Sequence, residues 1–270
     1  MKLRKAVIPC AGYGTRFLPI TKVIPKELLP IGNKPAIHYV VEEAVAAGIE
    51  EIILVCNQGK HAIIDYFLPN PSLNEFLDSR NKKVELAQLK QIEAMAQFRV
   101  VYQEQPRGLG DAVLAAREAV GQEPFLVILP DDLIAHEISG SQQLINACQG
   151  GNWGILLERV PMERVSAYGV VQGRETKKGI FQIEGTVEKP RPEQAPSDLT
   201  IIGRYVFPPE IFSMIASAKV GTGGEIQLTD AINTLAQGRP GCGVVCQGRR
   251  FDVGTPQGLQ EANLNFQLRP

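Results

Sequence analysis

The sequence predicts an α/β protein, a Rossmann-like, mixed and mostly parallel central sheet with helices on both faces. Three observations carry this. The apolar runs Ala6-Val7-Ile8, Ile52 to Cys56 and Pro124 to Leu129 are continuous, as in strands buried on both faces, and do not alternate with polar residues. Residues 37, 40, 41, 44 and 45 are apolar, the spacing of a helix face, and Gly48 stops that helix. The opening order is strand, loop, helix, strand, helix, the pattern of a parallel sheet covered by helices.

Each element follows in order. Residues 5–10 form the first strand, 34–47 the first helix, 52–56 the second strand and 61–67 a short helix. Residues 69–97 break the rhythm. Pro69-Asn70-Pro71-Ser72 opens a new unit, and a polar helical stretch runs from Leu73 to Ala96. Its charges of both signs suit a solvated surface insertion; a partner or lid segment is the sharper alternative. Phe98 to Tyr102 is the third strand, and residues 103–110 form a loop leading into a helix over Asp111 to Val120. The strand Pro124 to Leu129 ends in Pro130-Asp131-Asp132. From about Gly150 the texture changes to strands at 153–160, 168–172, 180–188 and 200–207, then helices at 208–218 and 226–237. A strand at 242–247 and a last helix to about Asn265 close the chain. This half reads as a mixed continuation of the sheet plus a smaller subdomain near 153–230. No linker or repeat interrupts residues 1–270, so the reading is a single domain.

Composition excludes several classes. The chain has 270 residues, 44% hydrophobic and 21% charged, ordinary for a globular protein. A net charge of −1 gives no reason to expect nucleic acid or an anionic membrane as partner. No apolar run approaches the ~20 residues that span a bilayer. The basic N-terminus runs straight into a strand without a signal-peptide core, so a cytoplasmic location is expected. The five cysteines are scattered, and Cys242 and Cys246 lie too far apart along one strand face to share a metal ion.

The stretch Pro9 to Pro30, PCAGYGTRFLPITKVIPKELLP, is the first place where chemistry is concentrated. Ala11, Gly12, Gly14 and Thr15 make a turn with little side chain, whose backbone N–H groups can cradle an anion. Arg16, Lys22 and Lys26 follow among prolines 19, 25 and 30, which forbid a long helix. Cations on such a loop neutralise phosphate charge, so a nucleoside triphosphate site after the first strand is the hypothesis. A Walker-type loop fails because Phe17 stands where its second glycine belongs, and the dinucleotide fingerprint fails at the same residue. Asp131 ends a core strand on the ligand edge of an open sheet, where the loop after the first strand also emerges. His38, His61 and His136 are unrelated by spacing, and no nucleophile elbow or Cys–His pattern is present.

This string resembles the signature of the sugar-phosphate nucleotidylyltransferases. The resemblance continues through KPAIHYVVEEAVAAGIEEIILV, GLGDAVL, ILPDDLI, AYGVV, VEKP, IIGRYV and GGEIQLTDAI, covering most of the chain in order and favouring the uridylyl branch. The long insertion near 69–97 also looks like that branch. The resemblance implies transfer of a uridylyl group from UTP to glucose 1-phosphate, giving UDP-glucose and pyrophosphate with Mg2+. It implies that Arg16 binds the leaving pyrophosphate and Lys26 bridges the phosphates. Glu27 orients Lys26 or contacts the nucleotide. Asp131 and Asp252 are the implied metal pair. Ala11, Gly12, Gln103 and Gly108 are implied for the base, and Gly169, Glu188, Lys189 and Gly203 for the sugar phosphate, on the subdomain near 153–230. The carboxylates of the Gly224 to Asp230 segment either touch the sugar or cap the following helix. One departure is visible: the family often carries histidine where Asp111 stands, which bears on base selection. A homo-oligomer, dimer or tetramer, is also implied. The rival readings are the same chemistry with dTTP or another hexose 1-phosphate, a non-catalytic nucleotide-sugar sensor, and a glucosyltransferase, which gives no reason for the Arg16–Lys26 loop.

Overall fold

The computed structural model describes residues 3–148, 152–221 and 224–266. Gly223, which opens the GGEIQLTDAI string, and the tail 267–270 lie outside these residues. In chain order the first elements are β1 (Lys5–Pro9), the short strands β2 (Pro30–Ile31) and β3 (Lys34–Pro35), α1 (Ala36–Ala46), β4 (Glu51–Cys56) and α2 (His61–Asp65). Next come α3 (Pro71–Ser79), α4 (Lys83–Glu93), β5 (Gln97–Tyr102), α5 (Leu109–Ala115), α6 (Arg117–Val120), β6 (Phe125–Ile128), β7 (Asp132–Ala135) and α7 (Gly140–Ala147). The second half holds β8 (Gly154–Arg159), β9 (Gly169–Lys177), β10 (Ile180–Glu188), β11 (Leu199–Phe207), α8 (Ile211–Ser217), α9 (Leu228–Gly238), β12 (Gly241–Val245), β13 (Arg249–Asp252) and α10 (Pro256–Asn265).

Nine strands form one sheet in the order β5-β4-β1-β6-β11-β8-β12-β10-β9. The first four are mutually parallel. Beyond β6 the sheet becomes mixed, because β11 runs antiparallel to both β6 and β8. The continuous apolar runs have the expected cause. Ala6, Ile8, Ile52, Leu54, Leu126 and Ile128 pack into the core under α1. Val7, Ile53, Val55, Phe125 and Val127 pack on the other face, against α5, α8 and α9. Burying each such Val, Leu, Ile or Phe contributes about 1.5–3 kcal/mol, so a sheet with both faces apolar is stable only when both are covered.

Two elements differ from the sequence reading. The polar stretch Leu73 to Ala96 is not one helix but two, α3 and α4, broken where Asn81 adopts φ 55°. Asparagine tolerates that left-handed backbone, which ends a helix. Asn70 caps α3 by accepting from Leu73 N at 3.1 Å. The helix expected over Asp111 to Val120 starts at Leu109 and divides at Ala116. A further pairing was not anticipated: β7 and β13 form their own antiparallel ribbon, with Asp132 opposite Asp252.

The parallel ladders run past the strand ends. Cys10 N donates to Val55 O at 2.7 Å, and Gln103 N donates to Cys56 O at 2.8 Å. The loops after β1, β4 and β5 therefore leave the sheet together at its carboxyl edge. Among the described residues no helix is long and apolar enough to cross a membrane.

Candidate active site

The loop after β1 is built from three single 3-10 turns, at Thr15–Phe17, Ile20–Lys22 and Lys26–Leu28. Pro19 and Pro25 precede the second and third turns and keep them from merging into a helix. Phe17 is buried and anchors the first turn, while Thr21 Oγ1 donates to Gly14 O at 2.8 Å. Arg16, between these anchors, is exposed on the wall of a cleft, and Lys22 is exposed outside it. Lys26 Nζ reaches Asp131 Oδ2 at 2.6 Å, joining residues 105 positions apart. Burial pulls the Lys26 ammonium pKa down, but the carboxylates of Asp131 and then Glu27 outweigh it and hold the pKa above its ordinary value. Burial acts the other way on Asp131, and Lys26 again prevails, holding that carboxyl below its ordinary range.

Glu27 faces the interior. It is 2% exposed, and both its oxygens accept from Lys60 Nζ, at 2.9 and 2.7 Å. Its carboxylate is turned to the interior, where it ties the loop to the start of α2. Burial pushes its pKa up, opposed first by Lys60 and then by Lys26. A buried carboxylate needs such a partner, and Glu27 also helps keep Lys26 charged.

Asp131 and Asp252 crowd one spot. A Cβ placed on Gly254 would lie 2.9 Å from Asp131 Oδ2 and 3.1 Å from Asp252 Oδ1. Two backbone contacts fix them: Val253 N donates to Asp131 O at 2.8 Å, and Gly254 N donates to Asp252 Oδ1 at 3.1 Å. Asp252 is not the cap of the last helix, because Thr255 Oγ1 accepts from Gly258 N at 3.1 Å. Among the described residues no group of three His, Cys, Asp or Glu side chains could hold a metal ion. Two hard carboxylates without nitrogen or sulfur ligands still fit Mg2+, which commonly takes one or two protein carboxylates plus phosphate oxygens and water. Asp132, beside them, is held by Arg250 Nε at 2.5 Å. Burial, reinforced by Asp131, pushes its carboxyl up to about 6 against the pull of Arg250.

The cleft itself, about 440 Å3, is lined by Arg16, Asp131, Asp252, Gly169, Glu188 and Lys189, among others. Glu188 Oε2 accepts from Thr229 Oγ1 at 3.2 Å, and Lys189 Nζ lies 3.5 Å from Glu188 Oε1. Lys189 adopts φ 43°, a rare backbone state that costs of order 1–3 kcal/mol in a non-glycine residue. Its N–H is held by Tyr168 O at 3.0 Å. Asn233 Nδ2 donates to Thr186 O at 2.7 Å, which fixes α9 against β10 and so sets Thr229 beside Glu188. Glu225 also lines the cleft.

Gly203 lies behind the cleft wall. It sits fully inside β11, where the register with β8 shifts, and does not line the cleft. A side chain there would strike Asp132 Oδ2 at 2.8 Å and Leu129 Cβ at 2.9 Å, and its backbone has φ +59°. Gly203 thus gives space to the acidic turn. Sequence reasoning also passed over four cleft residues, Tyr168, Tyr205, Thr229 and Arg250. Arg250 was visible only as one of two adjacent arginines. Its pairing with Asp132, Glu158 and the Tyr168 hydroxyl depends on the β7–β13 ribbon.

The expected base-binding residues gather at the sheet edge. Ala11 O accepts from Asn57 Nδ2 at 2.7 Å, and a Cβ on Gly12 would meet nothing within 4 Å. Gln103 is buried, and its Nε2 donates to Asp111 Oδ2 at 2.8 Å and Gly108 O at 3.2 Å. Gly108 adopts φ +96°, and a Cβ there would lie 2.9 Å from Glu225 Cβ. Gly110 N and Ile226 N complete a pair of bonds between the segments 107–110 and 225–226, at 2.9 and 2.7 Å.

Comparison with known proteins gives a consistent pattern. Residues 5–268 match the model of the nucleotidyl transferase family. The chain is 43% identical over 269 residues to the UTP–glucose-1-phosphate uridylyltransferase of Bacillus subtilis (strain 168), covering 99% of this chain and 92% of that protein. It is similar to a crystal structure of UDP-glucose pyrophosphorylase complexed with UDP-glucose, with TM-score 0.88, 40% identity and 98% of each chain covered. It is also similar to UTP-bound UGPase from Acinetobacter baumannii, with TM-score 0.90 and 40% identity, covering 98% of this chain and 93% of that one. With a family match across almost its whole length and relatives this close, the chain belongs to the nucleotidyl transferase family, alongside the UTP–glucose-1-phosphate uridylyltransferases.

Proposed function

We propose that this chain transfers the uridylyl group of UTP to glucose 1-phosphate, producing UDP-glucose and pyrophosphate. The observation that carries the reading is the contact of Lys26 with Asp131, which lines, with Asp252, a cleft that also holds Arg16, Glu188 and Lys189. A sugar 1-phosphate is already an ionised nucleophile, so the reaction needs no general base. It needs two polyanions held in line and charge neutralised as pyrophosphate departs.

The residues divide this work. Lys26, kept charged by its carboxylate neighbours, bridges the phosphates, and Arg16 takes the leaving pyrophosphate. Glu188 accepts from glucose hydroxyls, and Lys189 pairs with the sugar phosphate. Gly14 and Thr15 supply backbone N–H groups to the triphosphate, while Ala11, Gly12, Gln103 and Gly108 meet the base. Asp131 and Asp252 would hold Mg2+, which supplies positive charge to the phosphates when bound. A cytoplasmic homo-oligomer, dimer or tetramer, completes the reading.

Pyrophosphate release from UTP, dTTP and CTP, each with glucose 1-phosphate and Mg2+, tests this directly. UTP is expected to give the highest kcat/KM. A clear preference for dTTP rejects the uridylyl assignment, since one methyl group is worth only ~1–3 kcal/mol in such a pocket.

A further inference from the structure

Asp111 stands where the resemblance implied histidine, and its surroundings give the difference a chemical meaning. It is 7% exposed, in the first turn of α5. Its Oδ1 accepts from Arg107 at 3.0 Å and its Oδ2 from Gln103 Nε2 at 2.8 Å. A carboxylate accepts hydrogen bonds and donates none. Gln103 must therefore turn its amide nitrogen, and not its oxygen, toward Asp111. That nitrogen carries two hydrogens, and the second faces Gly108 O at 3.2 Å. Both donors of the amide are thus engaged, and its oxygen has no protein partner among the described residues. A neutral imidazole offers either a donor or an acceptor, and would leave the direction of the amide to the longer contact with Gly108 O alone.

We propose that Asp111 is a positioning residue for base selection: it fixes Gln103 so that only an acceptor faces the nucleobase. The proposal rests on the reading of Gln103 as a base contact. A base whose pairing edge carries a ring N–H, such as uracil or thymine, meets a matching oxygen. Cytosine has an acceptor at that ring position, and its one donor, the 4-amino group, is displaced along the edge, so the oxygen fixed opposite the ring nitrogen meets a lone pair. A site that presents one fixed polar group rejects the mismatched partner far more strongly than a methyl group can be rejected. Asp111 accordingly separates UTP from CTP and does not separate UTP from dTTP.

A double-mutant cycle tests it with purified enzyme, glucose 1-phosphate and Mg2+. The quantity read is the ratio of the CTP inhibition constant to the UTP KM. Asp111→Asn, which leaves only Gly108 O to hold the direction of the Gln103 amide, is expected to lower this ratio by about tenfold, with the change in KM and little in kcat. Asp111→Ser, whose hydroxyl both donates and accepts, gives the same result if the Asn variant does not fold. Gln103→Ala lowers the ratio by itself, and adding Asp111→Asn to it lowers it no further. If both Asp111 variants keep the wild-type ratio while Gln103→Ala collapses it, the positioning role is wrong and the base contact stands. If Gln103→Ala also leaves the ratio unchanged, the base contact itself is wrong, and the proposal fails with it.

Discussion

Two neighbours in sequence, Lys26 and Glu27, take opposite sides of the same loop. Lys26 reaches Asp131, a residue of the cleft wall, whereas Glu27 faces inward to Lys60. Nothing in the primary order distinguishes them, since both are charged and both stand in the motif. Only the partner thirty-three residues away, Lys60, reveals the structural role of Glu27. Removing one member of a buried pair strands the other, so Glu27→Ala is expected to cost about 3–5 kcal/mol in denaturant unfolding. Arg16→Ala, at an exposed position, should change stability by no more than about 0.5 kcal/mol while it lowers turnover. Equal stability losses in the two variants would contradict this division. Asp252→Asn should raise the Mg2+ concentration for half-maximal pyrophosphate release by about tenfold, the lower end for lost charge at a metal site. An unchanged Mg2+ requirement would remove Asp252 from that site.

Elements set these residues in place, and one brace links three of them. Arg204, on β11 and fully buried, pairs with Glu43 of α1 at 2.9 and 2.8 Å and donates to Asp132 O at 2.7 Å. It thereby ties helix and sheet to the turn that carries Asp131. Burial raises the Glu43 carboxyl, but Arg204, with Ser141, outweighs it and holds the pKa below its ordinary 4.5. With the native pKa depressed, the unfolded chain binds more protons as pH falls below about 4.5. The contribution of the pair is therefore complete above that pH and lost as pH falls through the native value. Melting temperature should drop between pH 5 and pH 3, and Glu43→Gln should be less stable at neutral pH and show a shallower drop. The insertion is a contrasting case, because neither α3 nor α4 contains a fully buried residue. Replacing residues 71–91 by a short Gly-Ser linker is expected to keep cooperative unfolding and pyrophosphate release. The long buried strands were legible because both faces are apolar. The β7–β13 ribbon was not, because both strands have only four residues and one of them, Arg249-Arg250-Phe251-Asp252, is mostly charged and looks like loop until it pairs. Nor was the break at Asn81, whose left-handed backbone leaves little mark on a polar helical stretch.

At the scale of the molecule, the sheet gathers the chemistry. Parallel strands β1, β4, β5 and β6 release their loops at one edge, and β13 brings Asp252 to that edge from the end of the chain. The meeting of the first loop with Asp131 was readable in advance from the run of buried strands and the rule that ligands meet an open sheet at its carboxyl ends, whereas Asp252 was implied by the resemblance alone and its place depends on the β7–β13 ribbon. The sugar-side wall was only partly readable: Glu188 and Lys189 were anticipated, but Thr229 comes from a helix whose docking depends on Asn233. The proposed function requires that a loop cation and two distant carboxylates act together on one pair of phosphates. Lys26→Ala, assayed for pyrophosphate release and for UDP-glucose affinity by calorimetry, tests that claim most directly. Turnover is expected to fall by about 10²–10³-fold while affinity changes by less than about tenfold, the pattern of a contact made in the transition state. Wild-type turnover in this variant would contradict the account.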